Sequence, residues 1–332
     1  MVSLEDLKWI EVGKDDDNTL SFKTYKTYIN CLGSLINKKY GDDLFTHFKL
    51  KLPPLNDISK NGDIDKEKIK SLLINSWHTE LNFLLPTTIN TGLTKYSFHW
   101  APVQAYYSLY LCMRAVFEAS NTHIKNTHEP TLRSISNWIV NRKIFPYPLN
   151  IHCAGIKDLK NIQFIGFETE VTDEKVKQIS ALSMPLDEEL ELCVAKFLKT
   201  TREKQFQDKK EMSGLKNKAG KKLKRFTNND KTEVEKKMHK TTLFDCLYRL
   251  RIKSNYEEAE TYILSEMTQE DADNLYNSLK LILNISLFSF EYTIMKYIGK
   301  EEFNKIFEEF SKKIKKDELK KDSIFSRIQH LN

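Results

Sequence analysis

The sequence has few of the residues that interrupt regular structure, with eight prolines and ten glycines in 332 residues. This scarcity excludes a collagen-like or low-complexity chain. Charged residues make up 30% of the chain without long blocks of one sign, and 40% of the residues are hydrophobic. These proportions are typical of a globular protein whose amphipathic helices pack around a core. We therefore expect a mainly α fold.

Cysteine is also scarce, and the cysteines are placed singly. None of the five belongs to a CxxC pair. This spacing disfavours a disulfide framework and a structural zinc site. We interpret each thiol as a small core side chain, and we expect no metal and no cofactor.

Long apolar runs are missing as well. The most apolar stretch, 279–290, is interrupted by Lys280, Asn284 and two serines, and it is shorter than the roughly 18 residues that a membrane span requires. The first residues are acidic and include no apolar run of signal-peptide length. The sequence thus predicts a cytoplasmic protein without a membrane partner.

Several common catalytic motifs are absent, namely GxxxxGKS/T, GxGxxG, HExxH and GxSxG. These motifs supply the phosphate loop, the dinucleotide turn, the zinc ligands and the nucleophile of large enzyme classes. Their absence disfavours a standard ATPase, dehydrogenase, zinc protease or serine hydrolase.

Apolar residues at helical spacing predict two helices near the start of the chain. Residues 19–40 form the first, with Gly41 as its C-cap. Residues 65–85 form the second, and we expect Pro86 to end it because proline lacks the amide hydrogen that a helix interior uses. We interpret 1–96 as an N-terminal helical layer.

The middle of the chain changes in character. Residues 101–119 are apolar on nearly every side, as in the central helix of a bundle, and a shorter helix over 130–141 follows. Apolar runs and turn residues within 144–171 predict short strands or a hairpin. A helix over 185–206 then leads into a lysine-rich segment.

Three helix starts are predicted in the C-terminal third. Thr242, Ser254 and Thr268 are each followed three positions later by an acidic residue, as in a capping box. The last of them opens a long helix that ends before Gly299. A final helix with a phenylalanine-rich face follows.

Positive charge is concentrated in one segment, because residues 199–240 contain fifteen Lys and Arg against six Asp and Glu. The densest part, 209–225, has two glycines and no continuous apolar face, which predicts a loop or frayed helix. Such an arm can contact phosphates, and a solvated linker is an equally good interpretation. The candidate nucleic-acid contacts are Lys209, Lys210, Lys216, Lys218, Lys221, Lys222, Lys224 and Arg225.

Two segments, taken together, resemble a known family. The first, APVQAYYSLYLCMRAVFEAS followed by NTHEPTLRSIS, has paired tyrosines in a helix and a threonine–histidine pair that opens the next helix. The second, LYRLRIKSNYEEAETYI, has arginines before an asparagine–tyrosine pair. This order resembles the HEPN (higher eukaryotes and prokaryotes nucleotide-binding) family.

The resemblance implies an HEPN-like antiparallel helical bundle, interrupted by a small α/β insertion. Its first part would be 97–142. The insertion, with short strands, a helix and the basic arm, would be 143–240. The second part of the bundle and the C-terminal helices would occupy 241–332.

Helical spacing brings candidate ligand-binding residues onto common faces. Tyr107, Tyr110 and Arg114 are at positions i, i+3 and i+7, which predicts a guanidinium beside two phenolic hydroxyls.

The second segment has two such faces. Arg251 and Asn255 share one, and Arg249 and Tyr256 share another; either could bind phosphate. The structural alternative is that these side chains satisfy polarity inside the bundle, with Asp245 pairing with Arg249 one turn away.

His128 is the candidate catalytic side chain, together with Arg249 or Arg251. An imidazole near arginines can move a proton during RNA cleavage, whereas many histidines at helix starts make local hydrogen bonds alone. Metal ligation is not expected because no carboxylate or cysteine partners have fitting spacing.

The resemblance is incomplete at the motif that catalysis uses. Many HEPN proteins are metal-independent ribonucleases with an arginine four to six residues before a histidine, usually paired across a dimer. Here nine residues separate Arg142 from His152, and eight separate Arg114 from His123. Whether this chain is an enzyme therefore stays open.

Three functions compete on this basis. The resemblance implies an RNA- or nucleotide-associated protein, such as a toxin or effector of an antiviral defence or toxin–antitoxin system, acting as a homodimer or with a cognate protein partner. The first alternative is a non-catalytic helical interaction or dimerisation module. The second is nucleic-acid binding through the 209–225 arm.

Overall fold

α-Helices form most of the described chain, and the expected mainly α fold with a small sheet is confirmed. The computed structural model describes residues 17–52, 64–89, 91–142, 145–156, 159, 162–214, 225–257, 268–314 and 323–331. The helices are α1 (Asp17–Tyr40), α2 (Leu44–Lys49), α3 (Lys66–Ile89), α4 (Thr94–Ser97), α5 (Ala101–Ala119), α6 (His128–Arg142), α7 (Asp173–Gln178), α8 (Leu190–Met212), α9 (Asn228–Lys236), α10 (Leu243–Ile252), α11 (Gln269–Ile298), α12 (Lys300–Ser311) and α13 (Ile324–Leu331).

The strands and tighter turns lie between these helices. The strands are β1 (His152–Ala154), β2 (Gln163–Ile165) and β3 (Thr241–Thr242), and the short 3₁₀ turns are Gly41–Asp43, Thr91–Leu93 and Asp187–Glu189. A π-helical turn, Lys253–Glu257, continues α10.

α5 lies at the centre of the packing and contacts both α3 and α11, as its apolar composition predicts. α11 also contacts α1, and α1 contacts α8. Large side chains such as Tyr106, Phe117 and Phe288 are fully buried in this common core. Burying one side chain of this kind contributes roughly 1.5–3 kcal/mol. The core includes residues from each of the four segments into which the sequence was divided, and that division stays a prediction.

The small sheet has the strand order β2-β1-β3, and both pairings are antiparallel. The β1–β2 hairpin confirms the strands expected within 144–171. β3 was not predicted, because Thr241 and Thr242 were assigned to a helix start. Both assignments are compatible, since Thr242 pairs with His152 and also caps α10. The sheet thereby positions the first turn of α10.

The expectation that Pro86 ends its helix is wrong. α3 continues through Pro86 to Ile89. The Thr87 and Thr88 hydroxyls donate to the carbonyl oxygen of Leu84, at 2.8 and 3.0 Å. Both hydroxyls thus bond to one carbonyl oxygen two residues before the proline, which supports the last turn of the helix.

The predicted helix start at Ser254 is also wrong. Its hydroxyl donates to the Leu250 carbonyl oxygen at 2.9 Å, and the chain passes from α10 directly into the π-helical turn. The starts at Thr242 and Thr268 are confirmed. The helices α2, α4, α7, α9 and α13 were not predicted.

A buried ionic network holds α13 against the bundle. The Arg327 guanidinium, which is fully buried, donates to both carboxylate oxygens of Glu80 and of Glu291 and to the Asn284 side chain. Trp77 donates to Glu291 at 2.9 Å. Burial raises the pKa of Glu80, because the low-dielectric core disfavours its charged form.

Among the described residues, none of the helices combines the length and the apolar composition that a membrane crossing needs.

Candidate functional site

A cluster of aromatic and basic side chains forms where α5, the start of α6 and α10 meet. We call it the His128 cluster: His128, Tyr106, Tyr107, Tyr110, Tyr248 and Arg251. The α5 tyrosines come from the first segment that resembles HEPN proteins, and Tyr248 and Arg251 come from the second. The fold thus brings together side chains that are more than a hundred residues apart in the chain.

His128 is half-buried among the tyrosine rings. Its Nδ1 lies 3.0 Å from the Tyr106 hydroxyl. Its ring centroid lies 4.4 Å from that of Tyr110 and 5.1 Å from that of Tyr248. His128 therefore does more than make the local hydrogen bonds of a helix start.

Arg251 closes the other side of the cluster. Its guanidinium donates to the Tyr107 hydroxyl and lies 4.9 Å from the Tyr107 ring centroid and 6.0 Å from that of Tyr248. A guanidinium against ring faces gains cation–π attraction. Arg251 and His128 thus share two aromatic neighbours, Tyr107 and Tyr248.

The environment sets the protonation of the cluster. Burial, followed by the positive charge of Arg251, lowers the pKa of His128 below its usual value of about 6.5. Burial also raises the pKa of Tyr106 well above its normal range. His128 is therefore neutral near pH 7 and can accept a proton or a hydrogen bond.

Arg114 does not join Tyr107 and Tyr110 as the spacing predicted. Within the described residues, its ion pair is with Glu118 one turn later, at 3.4 Å. Glu118 also pairs with Lys68 at 2.7 Å. A charged carboxylate one turn later on the same helix is a stronger partner for a guanidinium than the neutral hydroxyls of the two tyrosines.

Asn255 and Tyr256 lie in the π-helical turn after α10. Asn255 is half-buried, and the side chain of Tyr256 lies outside the described residues. Their predicted ligand-binding role stays a prediction.

Part of the predicted basic arm is visible. Lys209, in the last turn of α8, pairs with Glu129. Lys210 lies 4.9 Å from the Phe226 ring centroid, and Arg225 is exposed. The remaining candidates lie outside the described residues: Lys216, Lys218, Lys221, Lys222 and Lys224.

A pocket of about 350 Å³ lies beside the cluster, between α6, α8, α10 and the chain that follows α9. Tyr248 belongs to both, and Glu129 at the pocket edge follows His128 in the chain. Arg249 lines the pocket, whereas Arg251 contributes to the cluster. The two predicted arginines, Arg249 and Arg251, therefore lie in neighbouring but different environments.

The predicted pairing of Asp245 with Arg249 is wrong. The buried Asp245 carboxylate accepts from His239 Nε2 at 2.7 Å and from Gln205 at 2.8 Å. It also accepts from the backbone amide and hydroxyl of Thr242, as the capping box predicted. Four donors saturate the carboxylate, so Arg249 is left to other partners.

The sequence analysis missed His239 and Gln205, because neither belongs to a recognised motif. Each reaches Asp245 from a different part of the chain. The one usable signal was the capping-box aspartate in the first turn of a helix with two arginines, which indicates a polar centre at this helix start.

Metal ligands are not assembled in the described part of the chain, where no group of three or more His, Cys, Asp or Glu side chains could hold an ion. The five cysteines are free and buried. Of the weaker histidine candidates, His123 is exposed, and His152 is buried against the Asn150 carbonyl oxygen.

Comparison with known proteins identifies no relative. No protein-family model, no curated protein and no solved structure matches the chain.

Proposed function

We propose that this protein is an HEPN-like helical bundle that binds RNA or a nucleotide at the His128 cluster. The observation that carries the proposal is the meeting of His128 and Arg251 around shared tyrosine rings. The sequence pattern also predicts both residues as members of one site.

The chemistry of the cluster suits this ligand class. Unstacked bases bind to aromatic side chains, and guanidinium groups bind phosphate through paired donors. Tyr107, Tyr110 and Tyr248 are partly exposed, which leaves part of each residue accessible to a ligand. Arg251 supplies positive charge next to these rings. Together they can bind a base and its neighbouring phosphate.

The catalytic form of the proposal assigns His128 as a general base. A neutral imidazole can take the proton of a ribose 2′-hydroxyl, whose oxygen then bonds to phosphorus while the bond to the 5′-oxygen breaks. The leaving oxygen takes a proton from water, and Arg251 stabilises the charge on phosphate. No metal is needed for these steps.

Binding should be measured with a fluorescently labelled single-stranded RNA by anisotropy, and cleavage by gel. His128→Ala and Arg251→Ala should each weaken binding or abolish cleavage, whereas His123→Ala, on an exposed side chain, should behave as wild type. Unchanged RNA with no measurable binding by the wild-type protein would refute both forms of the proposal.

The basic arm is the competing binding surface. Replacing residues 215–224 by a short glycine–serine loop removes most of its lysines. If the arm alone binds, this variant loses RNA affinity and its dependence on salt flattens, while His128→Ala has no effect. If the His128 cluster binds the RNA, His128→Ala should lose RNA affinity and the loop replacement should have no effect.

The resemblance adds two proposals about cellular context. A toxin or effector role predicts that expression arrests growth and that His128→Ala relieves the arrest. A homodimer predicts twice the chain mass by light scattering, and a monomer that binds a cognate protein would favour the interaction-module alternative.

A further inference from the structure

Arg249 has an unusual combination of surroundings. Within the described residues its guanidinium contacts the Thr201 hydroxyl at 3.5 Å and the Tyr25 ring at 5.4 Å, and no carboxylate pairs with it. Its Nε is buried without a hydrogen bond. A guanidinium cannot lose its charge in a protein, so its surroundings leave a place for an anion.

The other charged side chains of the pocket already have ion-pair or hydrogen-bond partners. Lys209 pairs with Glu129, and Lys204 pairs with Asp208 at 3.1 Å. Asp245 is saturated by its four donors. Among the described lining residues, Arg249 is therefore the cation that has no carboxylate partner and could bind an anionic ligand.

His239 adds a second polar group. Because its Nε2 faces the Asp245 carboxylate, that nitrogen carries the proton, and Nδ1 has no hydrogen-bond partner among the described residues. Nδ1 can therefore accept a hydrogen bond from a hydroxyl group of a ligand. The hydrogen bonds to Asp245 fix the ring in place.

The rest of the wall is apolar. Leu132, Met212, Met238 and Ile252 line the pocket together with the Tyr248 ring. The volume is at the lower end of the range for small-molecule sites, roughly 300–1,000 Å³. Flexible methionines suit an aromatic or branched ligand body.

From these features we infer that the pocket binds a small organic anion, with its carboxylate or phosphate monoester at Arg249 and its aromatic or apolar body between Tyr248 and the two methionines. This site goes beyond the RNA site proposed at the His128 cluster and does not depend on it. Since Tyr248 borders both, occupancy of the pocket will also alter RNA affinity if that site is real.

Isothermal titration calorimetry with the full chain tests the site. The probes are phenyl phosphate and benzoate, with benzyl alcohol as the body without charge and inorganic phosphate as the charge without body. We expect one of the aromatic anions to bind at least about tenfold more tightly than both partial probes. The better anion identifies the headgroup.

Variants localise the binding. Arg249→Gln should weaken the better anion roughly 10- to 100-fold, and Arg249→Lys should restore part of the loss. Met212→Glu, on a largely exposed side chain at the pocket edge, should also weaken it by repulsion. Lys296→Gln removes one exposed charge outside the lining and should leave the affinity unchanged.

Circular dichroism establishes that each variant is folded. Absence of binding by the folded wild type, equal affinity for the partial probes, or an unchanged affinity in Arg249→Gln overturns the inference. The RNA proposal is tested with His128 and Arg251, so the two can fail separately.

Discussion

Two regions of this molecule use arginine in opposite ways. Arg327 is fully buried and bonded to two carboxylates and an amide, so its donors are satisfied by the protein. Arg251 and Arg249 lie on successive faces of α10, against tyrosine rings and hydroxyls. The first arrangement ties a helix to the core, and the second leaves charge next to accessible rings.

The difference separates stability from binding. A buried guanidinium is maintained by matched carboxylates, and removing it leaves their charges in the core. Arg249 contacts a hydroxyl and a ring and has no carboxylate partner among the described residues, so it can exchange these weaker contacts for a ligand. We therefore expect variants of Arg327 to affect unfolding most, and variants on α10 to affect ligands most.

The largest effect on stability is expected from Arg327→Met. Glu80 and Glu291 would then face each other in the core, and the free energy of unfolding should fall by about 3–5 kcal/mol. Urea denaturation followed by circular dichroism measures the change. Because burial already raises the pKa of Glu80, protonation should relieve the repulsion, and the difference in stability from wild type should narrow as the pH is lowered.

A loss below about 1 kcal/mol, or a difference that widens on acidification, would show that Arg327 does not hold the two carboxylates. Lys296→Met, which removes an exposed cation from α11, is the matched control and should change stability little.

A smaller effect is expected from Arg251→Met. Losing the charged hydrogen bond to Tyr107 should cost about 1.5–3 kcal/mol, while RNA affinity falls tenfold or more. Tyr107→Phe keeps the ring and removes the hydroxyl, so it should lose less of both. If Arg251→Met destabilises the protein as much as Arg327→Met and leaves RNA affinity intact, the contrast between the two regions is wrong.

The pH dependence of stability should show a contribution from His128. Its pKa is lower in the folded protein than the usual value of about 6.5, so the unfolded chain binds its proton more readily. Stability is therefore complete above about pH 7 and decreases as the pH falls through 6.5. His128→Gln should lose less stability than wild type between pH 7.5 and 5.

Other histidines contribute in the same direction, since burial also lowers the pKa of His78, His99 and His152. The comparison is therefore with His123→Gln, on an exposed side chain, which should follow wild type. Identical profiles for His128→Gln and wild type would contradict the buried, neutral imidazole.

The smallest effect is expected from the exposed ion pair of Lys38 and Asp187, at 3.3 Å. Both side chains are mostly exposed, so solvent screens their attraction and Lys38→Ala should cost less than about 1 kcal/mol. The loss should shrink further in 1 M salt. A loss near that of Arg327→Met would show that burial does not decide what an ion pair contributes.

Much of the helical framework was predictable, because local signals define it. The apolar pattern of α5 and the caps at Thr242, Thr268 and Gly299 appear in the structure as expected. The predictions at Pro86 and Ser254 were wrong because the helical chain continues through each residue. In both places a nearby hydroxyl donates to a carbonyl oxygen about one turn earlier.

For the candidate site, the sequence predicted several of the residues but not their contacts. The sequence predicted His128, Tyr107 and Arg251 as members of the site, and the structure brings them together. The sequence also predicted Arg114 as a member of the site, whereas Arg114 forms an ion pair with Glu118. Nothing local indicated His239, whose partner lies beyond β3.

By itself the sequence determined the helices, because periodicity and capping act within a few residues. The sequence also determined which charged and aromatic side chains these helices carry. Only the tertiary structure decided which arginine is buried and which meets a pocket, since that depends on which helices pack together. Arg327 pairs with two carboxylates, whereas Arg249 pairs with none among the described residues. No sequence pattern around these two arginines predicts this difference.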